Sequence, residues 1–244
     1  MKALVWNCQG AGSPLTIPQL REACNLLSPH MVFLSETKNR LQFMERLRRQ
    51  LRFDQCEVVE SMNKAGGMMV LWNDEVIVMD IKTTVFTMEF QIKDTEKNEE
   101  WWFIGIYAST DDQIRRKQWE VVQRRKVLWG HKWIIIGDFN DITSNEEKWG
   151  GKKREQGSFQ DFNNFIEHNG LIDTGFEGNP WTWSNHWSHE GEIKQRLDRA
   201  LVSHDWSQIF DRTIVKHIEI LGSDHSMLLI DSNPIQVKKK NDSF

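Results

Sequence analysis

The stretch Trp133–Asp141 places polar side chains directly after a run of apolar residues. An apolar run of this length, bounded by a turn signal, is typical of a strand that is covered on both faces. Gly137 would let the backbone bend where the strand stops. Asp138 and Asn140 lie two residues apart, so in an extended chain both would point to the same side, away from Asp141. Taken alone, the stretch favours a strand that ends in an Asx-turn.

Other apolar segments end in the same way, with a polar residue that an apolar core would not require. These residues are Asn7 after 4–6, Glu36 after 32–34, Tyr107 after 103–106, Asp198 within 196–199, and the pair Asp224 and His225. Singly, Glu36 would more often be a carboxylate at a helix N-terminus, and Asp224 with His225 would more often be a turn. Meeting at one sheet edge, they would supply carboxylates, a His–Asp pair, amides and a phenol.

Such a set could hydrolyse a phosphodiester. Mg²⁺ prefers oxygen ligands and keeps several waters, so one or two carboxylates plus phosphate oxygens make a normal site, with Glu36 as the first choice of ligand. A histidine held by a carboxylate can face a phosphate oxygen or the attacking water, and Asp198 is the expected partner of His225. The metal, His225, Asn7 and Tyr107 would then meet the charge that builds on the phosphate.

Composition sets broad limits on the class of protein. The chain has 244 residues, 39% hydrophobic and 27% charged, with a net charge of −4. It has no apolar run near the ~20 residues of a membrane helix, and no signal peptide is apparent at its start, so we expect an intracellular protein. Three scattered cysteines agree with a reducing compartment. The negative charge argues against binding nucleic acid by bulk electrostatics, although basic clusters occur along the chain.

The order of predicted elements favours one domain, residues 1–232, followed by a charged tail, residues 233–244. Strands and helices interleave near both ends, with Thr16 as the N-cap of the first helix, and a run of hairpin strands lies between. This pattern predicts an α/β fold, a four-layer α/β sandwich in which two mixed β-sheets pack face to face with helices outside.

Six ordered motifs resemble those of the endonuclease/exonuclease/phosphatase superfamily, which includes DNase I, exonuclease III and apurinic endonucleases. They are residues 6–10 (WNCQG), 34–37 (LSET), 105–107 (GIY), 137–140 (GDFN), 196–199 (RLDR) and 223–225 (SDH). In its further sequence details, including residues 147–151 (EKWGG) and 179–183 (NPWTW), the chain is similar to the endonuclease domain of plant LINE-type non-LTR retrotransposons. The resemblance covers residues 2–232 and implies a DNase I-like fold.

The resemblance also implies a role for each matching residue. Glu36 would bind Mg²⁺, or Mn²⁺ as a substitute, and Asp224 would approach the metal. Asp138 would orient or deprotonate the water. The remaining roles are phosphate contact or water positioning by Asn7, Tyr107 and Asn140, and transition-state stabilisation by the Asp198–His225 pair. Apurinic endonucleases carry an aspartate where this chain has Gln9, which weakens any claim to a second carboxylate ligand and to specificity for abasic sites.

Contacts to DNA are expected from two further places. Either Arg115 or Arg116 resembles a position that touches the DNA backbone. A hairpin at His186–Glu192 would enter a groove, with Thr182, His186 and Trp187 as the candidate contacts; a mobile surface loop is an equally good interpretation of this segment. Phosphate contacts would position the duplex, while groove shape would bias the cut.

Three functions compete. The leading hypothesis is a Mg²⁺-dependent endonuclease that nicks double-stranded DNA and leaves a 3′-hydroxyl, acting as a monomer, in the nucleus if on chromosomal DNA, with no membrane partner. The second is a superfamily phosphatase that acts on inositol phosphates or lipids. The third is a catalytically silent, domesticated DNA-binding module, whose sign would be lost site residues; only Gln9 is such a departure.

Overall fold

The computed structural model describes residues 1–61, 65–187, 191–220 and 223–234. The tail predicted at 233–244 therefore lies outside the described residues from position 235. The strands are β1 (Lys2–Asn7), β2 (Met31–Ser35), β3 (Gln55–Val59), β4 (Met68–Trp72), β5 (Ile77–Thr83), β6 (Thr87–Asp94), β7 (Glu99–Tyr107), β8 (Trp133–Asp138), β9 (Lys148–Trp149), β10 (Leu171–Asp173), β11 (Trp183–Ser184), β12 (Lys194–Gln195), β13 (Asp198–Ser203), β14 (Ile214–Ile218) and β15 (Met227–Asp231). The α-helices are α1 (Thr16–Leu27), α2 (Leu41–Leu51), α3 (Asp112–Trp129), α4 (Gln160–Asn169) and α5 (His204–Ile209).

The strands form two six-stranded sheets and one small sheet. The first sheet has the order β14-β15-β1-β2-β4-β3, and the second has the order β10-β13-β8-β7-β6-β5. In each sheet one central pair is parallel, β1 with β2 and β7 with β8. The small sheet, β11-β12-β9, lies beside the polar ends of the larger two. Both large sheets are therefore mixed.

Apolar side chains from both sheets interdigitate to form the central core. Phe33 and Val70 of the first sheet belong to the same buried cluster as Phe90, Phe103 and Ile134 of the second. All six residues of β8 are buried, as expected of a strand covered on both faces. A Cβ at Gly105 would lie 2.7 Å from the Phe33 ring, so glycine there lets the sheets approach closely.

Helices cover the outer faces of both sheets. The buried stripe of α2, Met44, Leu47 and Leu51, packs on the first sheet, while arginines of the same helix remain outside. Trp119 of α3 stacks on the rings of Phe162 and Phe165 of α4 above the second sheet. The predicted four-layer α/β sandwich is thereby confirmed.

The start of α1 differs from the sequence prediction. Thr16 is the first residue of α1 and not its N-cap; the N-cap is Leu15. The Thr16 hydroxyl donates a hydrogen bond to the Gly10 carbonyl (3.1 Å) and so ties the helix to the loop after β1.

None of the helices in the described parts of the chain has the length and hydropathy needed to cross a membrane.

Gly137→Ala is expected to destabilise the fold. Gly137 has φ +142°, and an added Cβ would lie 2.1 Å from the Ile106 carbonyl oxygen on the neighbouring strand β7. We expect a loss of about 2–3 kcal/mol, or a fall in melting temperature of roughly 5–10 °C, in thermal unfolding followed by circular dichroism. Gly157→Ala is the matched control, because a Cβ there meets nothing within 4 Å. Equal melting temperatures for the two variants would contradict this account of the strand end.

Candidate active site

Four buried polar residues meet where the two large sheets open towards solvent. Asn7 ends β1 in the first sheet, and Asp138 ends β8 in the second. Asp198 begins β13 directly opposite Asp138 in the antiparallel register. His225 lies in the loop before β15, and each of the four side chains belongs to a residue at most 3% exposed. The site therefore spans both sheets, on backbone that is fixed by strand pairing.

These four side chains form a connected series. Asp198 Oδ2 lies 2.9 Å from His225 Nδ1; since an ionised carboxylate only accepts, Nδ1–H is the donor. His225 Nε2 lies 3.4 Å from Asn7 Nδ2 and 3.9 Å from Asp138 Oδ2. Asn7 Nδ2 donates to Asp138 Oδ2 at 2.9 Å. The Nε2 edge of the imidazole is thus aimed at Asp138, while Asp198 holds its other edge.

Burial and neighbouring charge shift the pKa values of both central groups. Burial, and then the negative charge of Asp198, raise the pKa of Asp138 to about 7. Burial lowers the pKa of His225, but the charge and hydrogen bond of Asp198, together with Asp138, outweigh it and raise the pKa to about 9. The site therefore holds a carboxylate that exchanges a proton near neutrality beside an imidazole that stays protonated.

Protonation of His225 predicts that stability falls as pH rises. A histidine with a pKa raised from 6.5 to about 9 on folding contributes stability that is complete below pH 6.5 and lost as pH rises through 9. We expect a fall on the order of 3 kcal/mol across this interval, measured from urea midpoints in chelator. His225→Gln should flatten the curve between these pH values. An unchanged pH dependence in His225→Gln would contradict this protonation state.

Asn140 lies beside Asp138 through a tight turn instead of extended backbone. Asp138 Oδ1 accepts a hydrogen bond from the Asn140 backbone N–H (2.8 Å), and Asn140 Nδ2 donates to Asp138 Oδ2 (3.1 Å). Asn140 has a left-handed backbone with φ +49°. Set beside the other polar strand ends, the sequence made an Asx-turn here unlikely, and that expectation is wrong: Asp138 makes the turn with Oδ1 and faces the site with Oδ2.

Glu36 and Tyr107 lie together at the rim of the site. The Tyr107 hydroxyl donates to Glu36 Oε1, and Lys38 Nζ lies 2.8 Å from Glu36 Oε2. Tyr107 also pairs in parallel register with Asp138. Burial, and then the hydrogen bond and charge of Glu36, raise the pKa of the Tyr107 phenol, so the phenol remains protonated. Both Glu36 and Lys38 have left-handed backbones, a strain that is typical of functional sites.

Asp224 lies on the other side of His225, where Gln9 reaches it. Gln9 Nε2 donates to Asp224 Oδ2 at 2.7 Å, in an exposed position. Gln9 itself has φ +47°, and its backbone N–H donates to Asn7 Oδ1. The residue that stands in place of an apurinic-endonuclease aspartate thus binds a carboxylate through its amide.

Two of the residues predicted to contact DNA are buried and make hydrogen bonds within the protein. Arg115 was one of two choices, but it is 4% exposed; it pairs with Asp141 at 3.1 Å and Asp112 at 2.5 Å and donates to two backbone carbonyls. Arg116 is the accessible alternative, with 64% of its side chain exposed beside Asp161. Thr182 is 1% exposed, and its hydroxyl accepts the backbone N–H groups of Leu197 and Asp198. Arg115 and Thr182 therefore make internal contacts in this structure, and Arg116 is the more accessible of the two arginines.

The expected hairpin is only partly within the described residues, since positions 188–190 fall outside them. His186 is exposed, and its Nε2–H donates to the Ser223 carbonyl at 2.7 Å, next to Asp224. Trp187 is 69% exposed. Both side chains are thus placed on the surface near the site, where a ligand could reach them.

A buried ion network beside the site was not foreseen. Arg196 and Arg199 each pair with both Glu147 and Asp173, at distances from 2.6 to 3.2 Å. Arg199 is fully buried. Burial raises the pKa of Glu147, but the charge of Arg199 outweighs it and holds that pKa below its usual range. The network joins two sequence motifs, 147–151 and 196–199, and fixes the start of β13, which carries Asp198.

Glu147→Gln is expected to cost about 3 kcal/mol of stability, since it leaves buried guanidinium charge short of a partner. The melting temperature should fall by roughly 6–12 °C. Glu146→Gln is the matched control, because the adjacent Glu146 is exposed and its replacement should change stability by less than about 0.5 kcal/mol. Equal effects of the two substitutions in thermal unfolding would sink the structural role of the network.

Two groups of residues could hold a cation. Asp138, Asp198 and His225 each place one ligand atom within 4.8 Å of the others. In that group, however, Asp198 already accepts the Nδ1–H of His225 at 2.9 Å, and Asp138 Oδ2 lies 3.9 Å from Nε2, so both carboxylates face the imidazole. Glu36 already holds the ammonium of Lys38, so its oxygens bind a cation in this structure. We therefore favour the carboxylate of Glu36 over the group that includes His225.

The sequence matches the profile of the Endonuclease/Exonuclease/phosphatase family over residues 4–225. Among curated proteins, none matches the chain by sequence.

Solved structures with this fold cover nearly the whole chain. A 3′-5′ exonuclease, NExo, from Neisseria meningitidis has a TM-score of 0.73 and 17% identity, with 95% of this chain and 99% of that chain covered. The endonuclease domain of TRAS1, a telomere-specific non-LTR retrotransposon, has a TM-score of 0.69 and 17% identity over 94% and 97%. An AP endonuclease from Archaeoglobus fulgidus has a TM-score of 0.71 and 12% identity over 95% and 98%. At these identities the likeness shows a shared fold.

Proposed function

The chain belongs to the endonuclease/exonuclease/phosphatase family, and from that premise we propose that it is a Mg²⁺-dependent DNA endonuclease. It would hydrolyse one phosphodiester bond of duplex DNA and leave a 3′-hydroxyl. The observation that carries this proposal is the buried series of Asp198, His225, Asp138 and Asn7, which is assembled from both sheets: Asp198 accepts from His225 Nδ1, and Asp138 Oδ2 accepts from Asn7 and faces His225 Nε2. It supplies a proton acceptor, a cation and an amide at one point, as attack by water on a phosphate requires.

Asp138 is the residue proposed to accept the proton of the attacking water. Its Oδ2 faces Asn7 and His225, and its pKa of about 7 suits a base that works near neutral pH. The Asn140 backbone N–H fixes the carboxylate through Oδ1, and the amides of Asn7 and Asn140 fix Oδ2, the oxygen that faces His225. The carboxylate therefore needs little reorganisation when the water is bound.

His225 is the proposed partner of the negative charge that grows on the phosphate oxygens. Asp198 fixes the ring through Nδ1 and keeps it protonated, so Nε2–H is left to donate. Asn7 Nδ2, 3.4 Å from His225 Nε2, is a neutral donor beside it, and the Tyr107 hydroxyl at the rim is a second neutral donor, which now donates to Glu36. Fixed donors in a buried site stabilise such charge more than solvent water does.

Glu36 would hold the metal ion. Carboxylate oxygens are the donors that Mg²⁺ prefers, and the left-handed turn at Glu36 presents its carboxylate beside Tyr107 at the rim. A bound Mg²⁺ would neutralise charge on the scissile phosphate. Asp224, which the amide of Gln9 holds at the surface, is not proposed as a ligand.

Duplex DNA is proposed as the substrate, with contacts from the exposed residues near the site. Arg116, His186 and Trp187 are the accessible members of the predicted contact set. One structural neighbour is the endonuclease domain of a non-LTR retrotransposon, and the sequence motifs resemble the plant LINE branch. We therefore propose target-site nicking of the retrotransposon type, in the nucleus and by a monomer, with the free 3′-hydroxyl as a primer.

End-labelled duplex oligonucleotides incubated with Mg²⁺ test this proposal through the chemistry of the product ends. Nicks that a DNA polymerase extends without prior end repair would carry a 3′-hydroxyl, which is the expected result. Release of inorganic phosphate from inositol polyphosphates, with the oligonucleotides intact, would favour a phosphatase instead. Binding without any cleavage in Mg²⁺ or Mn²⁺ would favour a silent DNA-binding module.

A further inference from the structure

Most residues of the segment Glu147–Gly151 make contacts that stabilise the fold, whereas the side chain of Trp149 is exposed. Glu147 binds the buried arginines, and Lys148 Nζ donates to the carbonyls of Gly150 and Lys152. Trp149 lies between Lys148 and Gly150 in the chain, and it is 48% exposed. Among the tryptophans that the structure describes, only this one and Trp187 are strongly exposed.

Trp149 is exposed on a rigid element. Gly150 has φ +75°, and a Cβ there would lie 2.0 Å from the Glu192 carbonyl oxygen of the chain leading into β12. A Cβ at Gly151 would lie 3.0 Å from the Ile193 side chain. The turn after Trp149 is thus pressed against the neighbouring chain, and β9 pairs with β12 at the same point. An exposed ring on fixed backbone is a preorganised contact surface.

Trp149 shares one face of the small sheet with the lysine on the neighbouring strand. Trp149 is opposite Lys194, and Lys194 is opposite Ser184, so the three side chains share one face. Lys194 Nζ lies 5.3 Å from the centroid of the Trp149 ring, and it also pairs with Glu192 at 3.0 Å. The Lys194 ammonium therefore lies over the ring of Trp149, whose side chain remains half exposed.

This face leads directly to the candidate active site. Ser184 N–H donates to the Asp224 carbonyl at 2.9 Å. A cavity of about 210 Å³ lies between the sheet and the loop that carries His225, and its lining includes Ser184, Lys194, Asp224 and His225. Three inter-strand steps of about 4.8 Å put Trp149 ~14 Å from that loop, which is roughly four nucleotides at the 3.4 Å rise of stacked DNA.

We propose that Trp149 and Lys194 form a stacking platform for an unpaired base of the DNA strand that passes His225. Aromatic rings bind bases through their flat faces without regard to sequence, and Lys194 would meet the adjoining phosphate. A base inside an intact duplex has neighbours on both faces, so only an unpaired base can occupy the platform. The proposal rests on the proposed nuclease function and adds a preference for duplex DNA that has a locally unpaired segment.

Fluorescence of 2-aminopurine tests the platform without requiring cleavage. The probe is placed in a short unpaired segment of a duplex, and binding is measured in chelator with wild type, Trp149→Ala and Trp149→Phe. Wild type should quench the probe, because stacking on an aromatic ring quenches it. Trp149→Ala should abolish this quenching and weaken binding roughly 5- to 150-fold, whereas Trp149→Phe, which keeps a ring, should retain most of both. The fully paired duplex should bind all three proteins alike.

Two other results of the binding measurement would overturn the platform. Equal weakening of paired and unpaired duplexes by Trp149→Ala would mean a general contact, and no weakening of either would mean that the ring is unused. Mg²⁺-dependent cleavage of the same oligonucleotides separates this failure from that of the nuclease proposal. Wild type that cleaves but does not quench would overturn only the platform; wild type that quenches through Trp149 but never cleaves would overturn only the nuclease.

Discussion

Asp138→Asn is expected to lower the rate of Mg²⁺-dependent DNA cleavage by about 10³- to 10⁴-fold. The substitution keeps the shape of the side chain, and its amide oxygen can still accept the Asn140 backbone N–H that Oδ1 accepts now. It removes the charge beside His225 and the atom that would accept a proton from water. Single-turnover cleavage of a labelled duplex, with protein in excess, measures the chemical step.

Asp141→Asn is the matched control for Asp138→Asn. Asp141 is equally buried, but it pairs with Arg115 and Arg154 and not with the catalytic series. It should lose stability while keeping most of its cleavage rate. If Asp138→Asn melts like wild type and cleaves within about tenfold of the wild-type rate, Asp138 is not the base, because general-base catalysis contributes at least about 10².

His225→Gln is expected to lower the same rate by about 10²- to 10⁴-fold. Glutamine keeps a polar side chain of similar reach but cannot carry the positive charge that Asp198 maintains on the imidazole. His217→Gln is the control: His217 is also buried, with Nδ1 2.6 Å from the Asn179 carbonyl oxygen, outside the series. Its substitution should leave the cleavage rate close to that of wild type.

The double variant Asp198→Asn/His225→Gln shows whether Asp198 acts through the histidine. Because Asp198 contacts Nδ1 of the ring, removal of both should cost little more than removal of His225 alone, as for residues that act as a unit. Multiplicative losses would mean that Asp198 has a separate role. The melting temperature of each protein would distinguish a lost fold from a lost reaction.

The strand ends of the site could be predicted from the sequence for a local reason. Asn7 and Asp138 each follow an uninterrupted apolar run, and a polar residue at that boundary is visible without any tertiary information. Their meeting could not be predicted locally, because Asn7 belongs to one sheet and Asp138 to the other. The ordered resemblance of six motifs to one superfamily supplied the long-range placement.

Side chains that serve structure and those that serve function were harder to separate. Arg115 and Arg116 are neighbours on α3, yet one is buried among carboxylates and the other is exposed. Asp112 lies three residues before Arg115 and four before Arg116, so helix spacing alone did not distinguish them. The second partner, Asp141, becomes visible only when the loop after β8 is placed against the helix.

Short elements account for most of the architecture that the sequence did not predict. The strands β9 and β12 have two residues each, and β10 has three, which is too short for a hydrophobic period to appear. Helix α5 did carry a signal, since Ser203 caps it and Asp205 lies in its first turn. The network of Glu147 and Asp173 with two arginines depends on these short elements, so it also lay beyond local pattern.

Relaxation of supercoiled plasmid tests the central claim most directly, namely that the Asp138–His225 site is a metal-dependent phosphodiesterase. Wild type, Asp138→Asn and Asp141→Asn would be incubated with Mg²⁺, with and without chelator, and the nicked form quantified over time. We predict nicked circles from wild type and Asp141→Asn in Mg²⁺, none in chelator, and almost none from Asp138→Asn. Nicking that persists in chelator, or equal nicking by wild type and a folded Asp138→Asn, would contradict the claim.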